Sequence, residues 1–429
     1  MVNTSAATMD KPQDNSARKS RADFFFVYIA YTLRYLYLLL LIPFYGRVLG
    51  VEGYGVVLAA MSLMTIAWRF VEWGFATIGM RDIATAEPRQ YPGLMGAHLS
   101  ARALLTLVTL LGGAVAIYLS PVLSAHPLAG IAAVLLGVVS AYNLGWYFTG
   151  SHRPRAAVKL EVLGFAVSLA LVFTLVRDKD DSGLVLVALL CSAVIALAAA
   201  YWQVRKEITG FKLNIKAGWG LIGSSSTVFL YTGTSALLVS SSTYLLSLLS
   251  TSAEVGAFGA AERLVAVGLS VMGPAGQIFV PKITALFTKD VDAAHALIRK
   301  ALLLLFGIGV AGLLCSLVLG PWVVPLIFGG GFESSVGILQ CLAILFPISA
   351  LNLVLSSYVL IPQHKEGLLA KVILVGAAIS LVCAVPLGIY HGGMGMAVAR
   401  LIGETIVLAS LVYCCWKLGI LARLFNFKK

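Results

Sequence analysis

Residues 24–45 read FFFVYIAYTLRYLYLLLLIPFY, a continuous apolar run in which Arg34 is the only charged side chain. About 20 helical residues are enough to cross the roughly 30 Å hydrocarbon core of a bilayer. The run is therefore predicted to be a transmembrane helix. The polar residues 1–23 before it lack the pattern of a cleaved signal peptide, so we expect this first helix to be retained.

Eleven further stretches repeat this pattern in a chain that is 59% hydrophobic and 12% charged. So much apolar surface cannot face water in a monomer, and the expected solvent is lipid. The sequence predicts an all-α polytopic membrane protein with about twelve transmembrane helices. The spans are placed near 24–45, 55–78, 99–119, 128–149, 156–176, 183–204, 221–247, 256–279, 298–319, 336–361, 368–389 and 393–416.

Lysine and arginine residues fall on alternate sides of the predicted helices. Twenty-four of the 31 lie on the side of the two termini, Arg102 among them, whereas the other side has only Arg47, Arg177 and Lys179. Because cytoplasmic loops retain positive charge, both termini are predicted to be cytoplasmic. This distribution explains the net charge of +12 better than nucleic-acid binding does, since no basic patch is interleaved with aromatic residues.

The two halves of the chain show a weak internal repeat. GVVLAAMSL from Gly55 superposes on GAFGAAERL from Gly256, and a glutamate precedes each segment. The offset of about half the chain predicts two parallel six-helix bundles with a cavity at their interface, the architecture of a transporter. The predicted units are a cytoplasmic tail at 1–23, bundles at 24–204 and 221–416, a linker at 205–220 and a basic tail at 417–429.

Cysteine and histidine positions point to no metal or cofactor site. All six cysteines lie inside predicted helices, and all six histidines lie outside them, at spacings that fit neither a zinc site nor a redox pair. The loops between helices are also too short for a soluble catalytic domain. No cofactor, metal or catalytic residue is predicted.

Two pairs of opposite charges lie inside predicted spans. Charged side chains at the centre of a bilayer cost about 2.5–3.5 kcal/mol or more, so each needs a partner or a water-filled cavity. Arg69 and Glu72 are three residues apart, and Arg400 and Glu404 are four apart, so each pair shares a helix face. Each pair can therefore neutralise itself as a structural ion pair; the alternative is substrate binding for Arg69 and ion coupling for the glutamates.

Three other intramembrane charges lack a local partner. Glu262 and Arg263 are consecutive and about 100° apart around a helix, so they cannot pair with each other. Arg34 lies about 15 Å into the first span without an acid within one turn. Arg34, Arg69 and Arg263 are predicted to bind an anionic substrate. For Arg34 the alternative is an interhelical bond to a carboxylate such as Glu72.

The predicted seventh span is rich in hydroxyl groups, including those of Tyr231 and Thr234. These hydroxyls, together with rings such as Trp146, suit a ligand rich in hydroxyl and phosphate groups. Ser and Thr can instead bond back to the preceding helical turn, and tryptophans can be interfacial anchors. Tyr231, Thr234 and Trp146 are predicted substrate contacts on the first interpretation.

Separately, Gly273–Pro274 and Pro347 predict breaks in the eighth and tenth spans.

Five motifs, in order along the chain, resemble the Wzx-type polysaccharide flippases of the multidrug/oligosaccharidyl-lipid/polysaccharide (MOP) superfamily. The first motif follows the first span, and the second lies at the end of the second span. The third lies at the end of the fourth span, and the last two lie at the start of the eighth and tenth spans. Their residues are Pro43, Arg47, Val48, Leu49, Gly50, Glu52, Tyr54 and Gly55; Gly74, Phe75, Arg81, Ile83 and Ala84; Asn143, Trp146, Tyr147, Phe148 and Gly150; Glu254, Gly256, Ala260, Ala261, Arg263 and Leu264; and Phe332, Ser335, Leu339, Leu342 and Ala343.

The resemblance implies a MATE-like fold and the flipping of undecaprenyl-diphosphate-linked oligosaccharide across the bacterial inner membrane by alternating access. Implied partners are that substrate, membrane lipid, a polysaccharide polymerase and a chain-length regulator. Where many relatives have Asn-x-Asp in the seventh helix, this chain has Thr232, Gly233 and Thr234. Any coupling role therefore passes to Glu72, Glu262 or Glu404.

Three alternatives remain at this stage. A multidrug antiporter of the same superfamily would share the helices, but cationic drugs call for an acidic cavity. A membrane glycan polymerase or ligase would need a longer outer loop to hold its catalytic side chains. A structural scaffold would leave the intramembrane charges unexplained.

Overall fold

The computed structural model describes the backbone of residues 12–230 and 234–424, and the side chains of Leu33, Leu36, Tyr37 and residues 40–230 and 241–424. Its helices in the first half are α1 Pro12–Glu72, α2 Phe75–Thr85, α3 Tyr91–Leu119, α4 Pro121–Ala125, α5 Pro127–Ala141, α6 Gly145–Gly150, α7 Pro154–Leu175 and α8 Ser182–Val204. In the second half they are α9 Ile215–Val228, α10 Thr234–Leu249, α11 Ser252–Ser270, α12 Gly273–Phe287, α13 Val291–Phe328, α14 Glu333–Ala343, α15 Leu345–Leu353, α16 Glu366–Lys417 and α17 Ile420–Leu424.

Helix α16 contains two predicted spans, and α1 contains the first predicted span and most of the second; in each helix a sharp bend at a glycine separates the two. The 61 residues of α1 would measure about 90 Å as a straight rod, three times the thickness of the membrane core. The bends are at Gly50 (φ 67°) and Gly392 (φ 53°), in the left-handed region that favours glycine. As a result, Gly46 and Tyr54, eight residues apart, both contact Phe328.

The described residues contain nine helical stretches that are long and apolar enough to cross a membrane. One of them is α16, which holds predicted spans eleven and twelve. Another is Leu40–Glu72 of α1, which runs across the bend at Gly50. Large apolar side chains on these helices, such as Leu303 and Trp322, are exposed, as expected of surfaces that face lipid. The prediction of a polytopic all-α membrane protein is confirmed.

The predicted seventh span at 221–247 includes residues 231–233, which lie outside the described residues, so its continuity stays a prediction. In the described part of the chain, α9 ends at Val228 and α10 begins at Thr234. Helix α9 begins at Ile215, inside the predicted linker, and lies against α3: the Asn214 amide donates to the Ser100 hydroxyl at 2.8 Å. Close approach is possible because a Cβ on Gly218 would lie 2.8 Å from the Ala101 nitrogen.

The breaks predicted in the eighth and tenth spans are present. Helix α11 ends at Ser270, and α12 begins at Gly273 with Pro274 in its first turn. In the tenth span α14 ends at Ala343, and a π-helix over Val354–Leu360 follows α15. Irregular backbone of this kind is tolerated in a membrane where protein covers it.

Candidate functional site

The two halves of the chain meet at a crossing of α1 and α11 where no side chain intervenes. A Cβ on Gly55 would lie 1.8 Å from the Ser252 oxygen, and a Cβ on Gly256 would lie 2.0 Å from the Val51 oxygen. Such separations are too short for any carbon atom, so only glycine fits at either position. The backbones of the two helices are therefore in direct contact.

An aromatic cluster closes the same end of the molecule. Tyr54 of α1 lies 5.7 Å from Phe328 and 5.9 Å from Phe332, measured between ring centroids, and the two phenylalanines are 5.2 Å apart. All three rings are fully buried. The guanidinium of Arg47 also donates to the Leu326 carbonyl. We call this end, defined by Gly55, Gly256, Tyr54, Phe328 and Phe332, the sealed end.

A cavity of about 490 Å³ begins beside the sealed end and lies between α1, α5, α7 and α8. It extends from Tyr54 towards residues near the opposite end of the helices, such as Asn143 and Glu161. Most of its wall is apolar, with a few polar side chains, which is the usual character of a ligand pocket. Those polar side chains are Tyr37, Tyr45, Tyr54, Ser140, Asn143, Glu161, Ser168, Ser192 and Arg263.

Arg263 is the one residue of the second half of the chain in this lining. Its side chain is exposed, and within the described residues it forms no ion pair or hydrogen bond. The neighbouring Glu262 points to another helix, as the angle of about 100° between consecutive residues requires. The structure therefore brings a free guanidinium to the cavity, where sequence analysis predicted a contact to an anionic substrate.

Glu262 is paired with Arg400 of α16, a partner on another helix. Arg400 donates to the Glu262 carboxylate at 2.7 Å, and the Thr243 hydroxyl approaches the other oxygen at 3.3 Å. Glu404 instead accepts from the Asn352 amide at 2.9 Å. The predicted pairing of Arg400 with Glu404 was therefore wrong: α11 and α15 offer better-placed partners than the next turn of α16. Arg400 and Glu404 line a separate, smaller cavity of about 160 Å³.

The predicted pair of Arg69 and Glu72 is also absent from the described side chains. The Glu72 carboxylate accepts the amide hydrogens of Gly74 at 3.1 Å and Ala76 at 2.8 Å, at the start of α2. These otherwise unpaired amides attract a carboxylate, since they carry the positive end of the helix dipole. The Arg69 guanidinium lies over the Trp68 ring at 4.3 Å, and neither residue lines the cavity.

Three predicted substrate contacts are not described. The side chains of Arg34 and Thr234 and the whole of Tyr231 lie outside the described residues. Their predicted roles, and the alternative bond between Arg34 and Glu72, remain predictions.

Trp146 is in the core behind the cavity instead of on its wall. It is 6% exposed, and its ring lies 4.5 Å from His98 and 5.5 Å from the Arg102 guanidinium. Arg102, which the sequence places among the basic residues at the membrane surface, is 2% exposed and donates to the Ala141 carbonyl at 2.8 Å. The spacing of His98 and Arg102, four residues apart in an apolar helix, was the available signal for this buried cluster.

Glu161 is a cavity residue that sequence analysis missed. It lies in α7, is exposed, and has no hydrogen-bond or ion-pair partner among the described residues. Phe165 and Ser168 lie on the same face of α7 and also line the cavity. The signal was present, because Glu161 is inside the predicted fifth span and the three residues have the spacing of one helical face.

A charged cluster fixes the chain between α6 and α7 at the end opposite the sealed end. Arg153 donates through two nitrogens to both oxygens of Glu207, each at 2.7 Å, and the Tyr147 hydroxyl donates to Glu207 at 2.7 Å. The hydrogen bond to Glu207 raises the pKa of Arg153. Burial alone would raise the pKa of Glu207, but the bonds from Arg153 and Tyr147 outweigh it, so that pKa is below its ordinary value.

Comparison with known sequences gives one family and two similar relatives. Residues 20–287 match the family described as "Polysaccharide biosynthesis protein". A protein of Shigella dysenteriae named as a candidate O-antigen transporter is 24% identical, over 89% of this chain and 96% of that protein. A protein of Escherichia coli K12 with the same name is 23% identical, over 88% of this chain and 92% of that protein.

Two solved structures share the fold. An inward-facing multidrug resistance MATE family transporter of the MOP superfamily has a TM-score of 0.67 at 16% identity, covering 90% of this chain and 98% of that one. The lipid II flippase MurJ, in an inward closed conformation, has a TM-score of 0.66 at 12% identity, covering 94% of this chain and 90% of that one. At these identities the structures show a common MATE-like fold and nothing about the ligand.

Proposed function

The chain belongs to the polysaccharide biosynthesis protein family, and from that premise we propose that it flips undecaprenyl-diphosphate-linked oligosaccharide units from the inner to the outer leaflet of the membrane. The names of its relatives support this substrate class, since two of them are candidate O-antigen transporters. The likeness to MATE and MurJ structures supports the two-bundle fold that such a movement requires.

The observation that carries the proposal is the free guanidinium of Arg263 in a cavity sealed at one end. A sugar hydroxyl without a partner costs several kcal/mol in hydrocarbon, and a diphosphate costs far more, so unassisted flipping is very slow. A cavity with polar groups and a cation replaces the water around such a head group, while the lipid tail stays in the bilayer. Arg263 is the proposed contact to the diphosphate, because a guanidinium binds phosphate oxygens through paired hydrogen bonds.

The orientation follows from the charges. With the basic loops in the cytoplasm, both termini are cytoplasmic, and the sealed end faces outward. The present conformation then offers the cavity to the cytoplasmic side, where the substrate is made. We place the protein in the bacterial inner membrane, where undecaprenyl-linked sugars are assembled. Export would require the contacts of the sealed end to open as the two halves rock.

The membrane potential can assist the proposed direction. An inside-negative potential drives an anion outward with about 2.3 kcal/mol per charge per 100 mV. A doubly charged head group therefore gains about 4.6 kcal/mol for each 100 mV. Dedicated ion coupling is then unnecessary for net export. Within this proposal the protein breaks and forms no covalent bond. A polymerase and a chain-length regulator are proposed to receive its product.

Deletion of the protein followed by leaflet-resolved detection of lipid-linked oligosaccharide tests the proposal. Accumulation of single units on the inner leaflet, reversed by the wild-type chain, is the expected result. Accumulation of single units on the outer leaflet would instead assign the protein to polymerisation and would overturn the proposed function.

A further inference from the structure

One wall of the cavity combines a free carboxylate, an aromatic face and hydroxyl groups. Glu161, Phe165 and Ser168 occupy positions i, i+4 and i+7 of α7 and therefore share one face, which runs about 10 Å along the helix. All three line the cavity. The wall is thus a continuous strip on one rigid helix.

Tyr37 of α1 completes this strip. Its hydroxyl lies 2.9 Å from the Ser168 hydroxyl, and its ring stacks on Phe165 with centroids 4.5 Å apart and an interplanar angle of 21°. These contacts hold both rings in place before any ligand enters. Preformed aromatic and polar groups of this kind give a binding site its specificity.

Glu161 is the feature that a site for phosphate alone does not explain. It is the one carboxylate among the residues that line the cavity, and it faces the same space as Arg263 without an ion pair to it among the described residues. A carboxylate repels a diphosphate and accepts hydrogen bonds only from donor groups. The ligand of Glu161 must therefore carry hydroxyl, amide N–H or ammonium groups. These groups must lie at a distance from the negative charge of the ligand.

We propose that Tyr37, Glu161, Phe165 and Ser168 form a sugar-recognition subsite on the first half of the chain, opposite the phosphate contact at Arg263 on the second half. This inference rests on the proposed function and deepens it. The carboxylate accepts sugar hydroxyl, amide or amino donors, and the stacked rings pack against the apolar faces of the sugar. Helices α7 and α11 belong to different halves of the chain. The sugar and the diphosphate are therefore bound by different halves, and the two subsites move apart as the cavity opens outward.

Binding to the purified full-length protein in nanodiscs separates the two subsites. The probes are undecaprenyl diphosphate without sugar and the lipid-linked repeat unit extracted from the source cells. We expect Glu161→Gln and Phe165→Leu each to weaken binding of the repeat unit about tenfold or more, the effect of losing a charged hydrogen bond or a stacked ring, and to leave undecaprenyl diphosphate unchanged. Arg263→Gln should weaken binding of both probes by the same factor. Leu163→Ala, on the lipid-exposed side of the same helix, is the matched control and should change neither.

Each failure has a different meaning. If the wild type binds neither lipid, the proposed function falls and this inference with it. If the wild type binds the repeat unit but Glu161→Gln and Phe165→Leu bind it equally well, the inference alone is overturned. A Glu161→Gln variant that binds both lipids normally but no longer flips them would assign the carboxylate to ion coupling, and would equally overturn the sugar subsite.

Discussion

Gly55 and Gly256, which the internal repeat superposes in sequence, contact each other in the folded chain. A Cβ built on Gly256 would lie 3.1 Å from the Gly55 nitrogen, and the backbones of α1 and α11 leave no room for a side chain at either position. Equivalent residues of the two halves therefore form the crossing that closes one end of the cavity. The same contact must separate if the halves rock.

Gly256→Ala should destabilise the sealed end. Its methyl group would collide with the Val51 carbonyl, so the closed contact is expected to lose about 1–3 kcal/mol, the usual cost of overpacking. Thiol labelling of a cysteine introduced at Tyr54, in a background without the native cysteines, should show greater access from the outer side. Gly307→Ala is the control, because nothing lies within 4 Å of its Cβ position. Unchanged labelling in Gly256→Ala would contradict this role for the crossing.

Arg400→Ala should lower protein abundance before it affects transport. Removing Arg400 leaves the Glu262 carboxylate without its cation in a partly buried site, at a cost of about 1–3 kcal/mol once partial solvent access is considered. Glu262→Gln combined with Arg400→Gln should recover part of the loss, since no lone charge remains. Thermal unfolding in detergent measures both effects. A double variant no more stable than Arg400→Ala would argue against this pairing.

Arg263→Gln should abolish export while leaving abundance and melting temperature near the wild-type values. The reason is that Arg263 forms no bond within the described structure that its removal would break. Arg263→Lys should retain part of the export, because charge remains but paired hydrogen bonding is lost. Surface polymer and membrane abundance are the two measurements. Normal polymer in Arg263→Gln cells would exclude this residue as the phosphate contact.

The cluster of Arg153, Tyr147 and Glu207 should make stability depend on pH in the acid range. The folded-state pKa of Glu207 is below its ordinary value of 4.5, so its contribution is complete above about pH 4.5 and is lost as the pH falls through the folded pKa. The melting temperature of the wild type should fall with pH over that range, and the melting temperature of Glu207→Gln should fall less steeply. The exposed Glu366→Gln serves as the control. Parallel pH profiles for the wild type and Glu207→Gln would contradict this assignment.

Hydropathy predicted the membrane spans because crossing a bilayer imposes a minimum length on each apolar run. It could not predict that helix α9 begins at Ile215, inside the predicted linker, and packs against α3. Gly218 of α9 lies against Ser100 and Ala101 of α3, and such packing depends on residues more than 100 positions away. The breaks at Pro274 and Pro347 were predictable, since proline removes a backbone donor locally.

The candidate site was predictable only in part, for the same reason. Helical spacing correctly predicted that Glu262 and Arg263 do not pair with each other, because the angle between consecutive residues is a local property of a helix. It misassigned the partners of Arg400 and Glu72, which are an acid on another helix and backbone amides at a helix start. Glu161 was overlooked because its importance depends on the cavity it faces, which a single helix does not reveal.

Flipping by the purified protein in liposomes tests the central claim most directly. Lipid-linked repeat unit is placed in one leaflet, and its appearance in the other is followed with and without an imposed potential, for the wild type and Arg263→Gln. The wild type is expected to move the lipid, faster when the potential drives the anion toward the opposite leaflet, and Arg263→Gln is expected to be inactive. Equal flipping by both proteins, or none by the wild type, would contradict a translocation path through the Arg263 cavity.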